Sequence, residues 1–161
     1  EAVRTPMQWS SEANGGFSSA PAEKLFRPVI SKGEFSYEHV NVAAQQADAN
    51  SFWHWMKRLI QCTHDLEELN HGEIQLIKAD QSNVLIHAST WEGQTTITIH
   101  NLSEKPCRVH CHFEGYDLSK FKDVFDDQPY QPVEGDFIEL NGYGYRWLRS
   151  ITERVNHADH L

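Results

Sequence analysis

The feature that most restricts this chain is a change of hydrophobic period after Asn70-His71-Gly72. Residues 73–79 (EIQLIKA), 83–90 (NVLIHAST) and 95–101 (TTITIHN) take up a period of two, the pattern of strands with one buried face. Asp80-Gln81-Ser82 and Glu92-Gly93 supply turns between them. In the third run Ile97 and Ile99 share one face, and Thr96, Thr98 and His100 share the other. Residues 106–113 (PCRVHCHF) make a fourth strand, with further short runs at 121–125, 137–140 and 143–149. Strands of this length and spacing, separated by Gly, Pro, Asp and Asn, predict a mainly β fold, an antiparallel β-sandwich.

The half of the chain before that change is different. Residues 51–66 carry Phe52, Trp55, Met56, Leu59 and Ile60 at the spacing of one helical face, with Asp48, Asn50 and Ser51 available as caps. The stripe reads as core-facing rather than as a ligand groove. Residues 1–50 hold no sustained period, and fifty irregular residues are too many for a loop inside a compact domain. Their apolar content (Met7, Trp9, Phe17, Phe26 and Phe35 among others) argues against disorder and for a segment shaped to lie on another surface.

Composition narrows the function classes. With 23 acidic and 14 basic side chains the net charge is −9, which disfavours nucleic acid and anionic membrane as partners. No apolar run is long enough to span a bilayer. Cys62, Cys107 and Cys111 are an odd number in a chain large enough to fold without bridges, so free thiols in a reducing, cytoplasmic setting are expected. Five Trp, five Tyr and eight Phe fit a core of large side chains, or a surface on which sugar rings stack.

Candidate chemistry is thin. The cluster Cys107, His110, Cys111 and His112 has the residue types of a zinc site. On a strand, however, Cys107, Val109, Cys111 and Phe113 point one way and Arg108, His110 and His112 the other, so the ligands diverge. His157 and His160 fall in a polar tail expected to fray. Glu67-Glu68 and Asp126-Asp127 are adjacent carboxylates, read as ordinary solvated charge, because a glycosidase pair must face across a bond. No phosphate loop or nucleophile motif is present. Neither a metal nor another cofactor is expected.

The most specific signal lies at the start. Arg4-Thr5-Pro6-Met7-Gln8-Trp9-Ser10, then Gly16-Phe17-Ser18, Pro28-Val29-Ile30, Tyr37, Val40-Asn41-Val42, Gln45 and Ser51, resemble a stretch of glycoside hydrolase family 13, the α-amylase family. The ending Gly142-Tyr143-Gly144-Tyr145-Arg146-Trp147 resembles that family's closing strand. The resemblance covers about residues 3–149 and leans toward the branch of trehalose synthases, α-glucosidases and oligo-1,6-glucosidases, with YEHVNVAAQ (37–45) on the trehalose synthase side.

That resemblance implies a specific organisation. Residues 1–71 would be the end of a catalytic (β/α)₈ barrel, its loop after strand eight and its last helix. Residues 72–150 would be the C-terminal β-sandwich, and 151–161 a polar tail. The retaining chemistry of the family needs carboxylates from the barrel, and the resemblance places them before Glu1. A chain opening on Glu1 rather than Met is therefore expected to be a C-terminal fragment, inactive alone, of a maltose–trehalose interconverting enzyme or of a hydrolytic α-glucosidase. A reading of another class is a carbohydrate-binding or oligomerising sandwich module. Arg4 is the one substrate-side candidate, where a guanidinium could bond sugar hydroxyls, or else anchor its loop. Gln8 and Trp9 are expected to pack. The expected partners are the catalytic barrel, α-glucosides through the parent enzyme, and further copies of the chain through the apolar faces a missing barrel would leave bare.

Overall fold

The computed structural model describes residues 4–111, 113, 115–133, 135 and 137–151. His112 and the tail with His157 and His160 lie outside the described residues. The backbone divides into two compact units, Glu1–Ile60 and Gln61–Leu161.

The first unit is more ordered than its sequence suggests. It holds a short helix, α1 (Val42–Ala47), and 3-10 turns at Ala13–Gly16 and Ala22–Lys24. Six residues are too few to display a helical period, so α1 leaves no trace in the hydrophobic pattern. It forms because Asn41 caps it: Oδ1 accepts from the Ala44 amide at 2.8 Å while Nδ2 donates to the Tyr37 carbonyl at 2.9 Å. Helix α2 (Phe52–Asp65) follows, with Ser51 as the cap in use, its Oγ accepting from the His54 amide. The apolar stripe predicted to face a core does not do so. No residue of α2 is buried; Phe52 is 65% and Ile60 61% exposed. A helical period says that a face requires cover, not what covers it.

The second unit is a sandwich. After α3 (Glu67–His71) come β1 (Glu73–Leu76), β2 (Val84–Trp91), β3 (Gln94–Asn101), β4 (Cys107–His110), β5 (Phe121–Asp126), β6 (Phe137–Leu140) and β7 (Tyr145–Ser150). Five strands form an antiparallel sheet in the order β1-β2-β3-β7-β5, and β4 pairs with β6 in a second sheet. The β2–β3 hairpin turns on Glu92 (φ 47°) and Gly93 (φ 78°), the left-handed pair a two-residue turn needs. Ile86, Ala88, Ile97, Ile99 and Leu148 from the large sheet meet Val109, Ile138 and Leu140 from the small one. Each of the fully buried isoleucines contributes roughly 2–3 kcal/mol by leaving water.

Alternation resolves the Cys–His cluster. Cys111 and Val109 are fully buried and Phe113 nearly so, while Arg108 points outward with Glu139 opposite it in the register. Cys107, partly buried, lies against the core. Burial, and then the Asp80 carboxylate, pushes its thiol above the ordinary cysteine value. His110 stands on the other face beside the Phe137 ring, 4.9 Å between centroids.

The carboxylate pairs depart from the expectation of solvated charge. Glu67 is exposed, but Glu68 is only 1% exposed. Its Oε1 accepts from Thr96 Oγ1 at 2.5 Å and lies 2.7 Å from Arg149 Nε, and Oε2 accepts from Arg149 Nη2 at 3.0 Å. The outer face of the large sheet is the threonine face, and α3 lays Glu68 onto it. Asp127 is exposed yet accepts from the Tyr130 hydroxyl, the Tyr145 amide and Asn141 Nδ2. Adjacent carboxylates on a turn or short helix diverge, and one of the two can be folded inward.

Candidate functional site

The start of the chain is held by its own side chains. The Trp9 and Ser10 amides donate to the Gly15 carbonyl at 2.7 and 3.0 Å, closing a loop in which Asn14, Gly15 and Gly16 all take positive φ. A Cβ on Gly16 would sit 2.6 Å from Ser10 Oγ, so the tight return needs glycine there. Asn14 Nδ2 donates to the Ser18 and Ala20 carbonyls at 3.0 and 2.8 Å, fixing the segment that follows Phe17.

Gln8 does more than pack. Its Nε2 donates to the Phe35 carbonyl at 3.3 Å and to the Val40 carbonyl, and its own carbonyl accepts from the Val42 amide at 2.9 Å. The Trp9 carbonyl accepts from the Ala43 amide. The segment 4–9 is thereby locked onto the first turn of α1. Farther on, Ser51 Oγ donates to the Gln45 carbonyl, and Gln45 Oε1 accepts from the Trp53 amide at 3.1 Å. Gln8, Asn41, Gln45 and Ser51 are thus all backbone clamps. Sequence reasoning singled out Gln8, Asn41 and Gln45 only by resemblance, and Ser51 also as a helix cap, because a polar residue that bonds a distant carbonyl looks like any surface residue. Trp9, expected to pack, is 51% exposed.

These clamps present Arg4. It is exposed on an open groove of about 260 Å³, whose other walls include Pro6, Met7, Phe17, Leu25 and Phe26. The groove is apolar with cationic edges, the second cation being Arg27, whose guanidinium lies 5.7 Å from the Phe26 ring centroid. None of the described residues lining it is a carboxylate. The arrangement can bind: a guanidinium donates to hydroxyls or a carboxylate while aromatic rings cover an apolar face.

In the sandwich the perturbed groups read as structural. Burial lowers His87 and His100 below the ordinary histidine value, and His87 further lowers His100. The His87 ring meets Thr98 Oγ1 at 2.8 Å, and Trp147 Nε1 donates to His100 Nε2 at 3.3 Å. Burial, followed by the Asp65 carboxylate, raises the Cys62 thiol. Such thiols are poor nucleophiles.

Residues 1–72 match the α-amylase catalytic domain, and residues 74–147 match the C-terminal domain of maltogenic amylase. The chain belongs to the α-amylase family, glycoside hydrolase family 13. It is 32% identical to the trehalose synthase of Thermus thermophilus over 89% of this chain and 15% of that protein. Over 48% of this chain and 13% of that protein it is 38% identical to the α-glucosidase of Pediococcus pentosaceus. The trehalulose synthase of Pseudomonas mesoacidophila MX-45 shares its fold, with a TM-score of 0.70 at 22% identity over 91% of this chain and 25% of that one. The chain thus spans about a quarter or less of the length of each of these relatives.

Proposed function

We propose that this chain is the C-terminal part of an α-glucosyl-transferring enzyme, and that the whole protein is a trehalose synthase interconverting maltose and trehalose with retention. The observation that carries the reading is similarity to a trehalose synthase along 89% of the chain. In this reading residues 1–71 finish the catalytic barrel, residues 72–150 form the sandwich that covers and stabilises it, and 151–161 are a tail. The chain is structural and does not turn over substrate alone. Arg4 reaches the sugar cleft from its rim, and the catalytic carboxylates come from the rest of the barrel. An odd number of cysteines in a chain able to fold without bridges supports a reducing compartment, the cytoplasm.

The test has two arms. The 161-residue chain incubated with maltose, trehalose and an aryl α-glucoside is expected to give no product above buffer; turnover would overturn the structural role. The whole protein given maltose is expected to yield trehalose. Glucose as the main product would instead favour the second reading, a hydrolytic α-glucosidase, which the 38% identity to such an enzyme supports. In the whole protein Arg4→Ala is expected to raise KM for maltose; an unchanged KM would make Arg4 a loop anchor.

A further inference from the structure

A second groove, far in sequence from Arg4, opens beside the small sheet, between its Arg108–Glu139 pair and Arg146 of β7. Its walls include Arg108, Tyr130, Gln131, Phe137, Glu139 and Arg146, around about 270 Å³ of space. A neighbouring depression of about 330 Å³ shares Arg108, Tyr130 and Glu139, so these three stand between the two. Each is near the lower end of small-molecule site volumes, about 300 Å³.

The chemistry of these walls is specific. Arg108 and Glu139 are cross-strand partners, 3.9 Å apart at the side chains and both well exposed. The Arg108 guanidinium lies 4.6 Å from the Phe137 ring centroid. Arg146 is buried: its Nε and Nη2 grip both Asp123 oxygens at 2.9 and 2.7 Å, and Nη2 also donates to the Gln131 carbonyl. Its guanidinium backs the Tyr130 ring at 4.8 Å. The Tyr130 hydroxyl donates to Asp127 Oδ1 at 2.8 Å and accepts from the Asn141 amide at 3.0 Å. The ring is therefore a fixed wall, and a ligand laid on it costs little ordering entropy.

Both guanidiniums already face a carboxylate, so the groove has no strong net field, and the chain as a whole carries −9. That disfavours an anion. A flat immobile ring beside an adjacent donor and acceptor suits a ligand with an apolar face and vicinal hydroxyls. We propose that this groove is a binding site for a neutral pyranoside, one or two rings long, lying on Tyr130 with its hydroxyls on Arg108 and Glu139. The proposal does not depend on the catalytic reading of the parent protein.

The test is a titration of the isotopically labelled chain with maltose and maltotriose, with inorganic phosphate as the control, read by amide chemical shifts. The expected result is saturable shifts at Arg108, Gln131 and Phe137–Glu139, at an affinity near ~1 mM. The Arg108→Ala, Glu139→Gln double variant removes only exposed groups; its affinity is expected to fall about tenfold, the loss of one charge-assisted hydrogen bond. Arg4→Ala, in the other groove, is expected to leave the shifts at Arg108, Gln131 and Phe137–Glu139 as they are. No saturable shift, shifts confined to residues 4–27, a response to phosphate alone, or undiminished binding by the double variant would each overturn the site.

Discussion

Replacing Glu68 with alanine tests how the sandwich holds α3. The carboxylate is 1% exposed and meets Thr96 and Arg149, whose side chain is 30% exposed. Truncation leaves the Thr96 hydroxyl, itself 0% exposed, without this acceptor, a loss of about 1–3 kcal/mol. Arg149 loses its ionic partner, but its partial exposure lets water replace it, so its share falls below the roughly 3–5 kcal/mol typical of a fully buried pair broken on one side. A total near ~3 kcal/mol follows. At roughly 2–4 °C per kcal/mol for a chain of this size, the thermal midpoint should drop by about 6–12 °C. Melts followed by circular dichroism measure it. A double-mutant cycle with Arg149→Gln should return a coupling of about 1–3 kcal/mol, because the two groups act on each other. A change within about 0.5 kcal/mol for Glu68→Ala, the size of an ordinary surface substitution, would refute the reasoning. So would a cycle that is additive.

Acid should weaken the sandwich through His87 and His100. Burial depresses both folded-state values, so the unfolded chain binds protons first; stability is fully present above the ordinary histidine value and is lost as pH falls below it. Denaturation by urea at neutral pH and at mildly acidic pH measures this, and an equal midpoint in the two would contradict it. Gly142→Ala should cost more than about 2 kcal/mol, since its Cβ would fall 1.9 Å from the Glu104 carbonyl oxygen, which is backbone and cannot rotate away; a variant melting with the parent chain would refute that contact. The Cys62 and Cys107 thiols, raised by burial, should react slowly with a disulfide reagent in the native chain and quickly once denaturant is added. Light scattering on the 161-residue chain should detect self-association through exposed apolar groups such as Phe26, Phe35 and Phe52; a monomer at all concentrations would count against it.

The sequence by itself determined what is local. The alternation of Ile97 and Ile99 with Thr96, Thr98 and His100 set the two faces of β3, and the same rule separated the Cys107 and Cys111 thiols from Arg108 and His110. The Glu92-Gly93 turn followed from backbone conformation alone. The resemblance carried by the Arg4–Ser10 segment and the closing strand named the family. Tertiary structure decided everything that depends on a partner distant in the chain. No pattern could say that β7 inserts between β3 and β5, because strand order is a choice among equally alternating segments. The sequence did not show that Gln8 clamps two remote carbonyls, nor that Asn41 builds a helix too short to have a period. Glu68 is the plainest case. As one of two adjacent glutamates it reads as solvated charge, and only the fold brings Thr96 and Arg149 to it. A carboxylate's burial is set by the groups that arrive from elsewhere, and those are not written beside it.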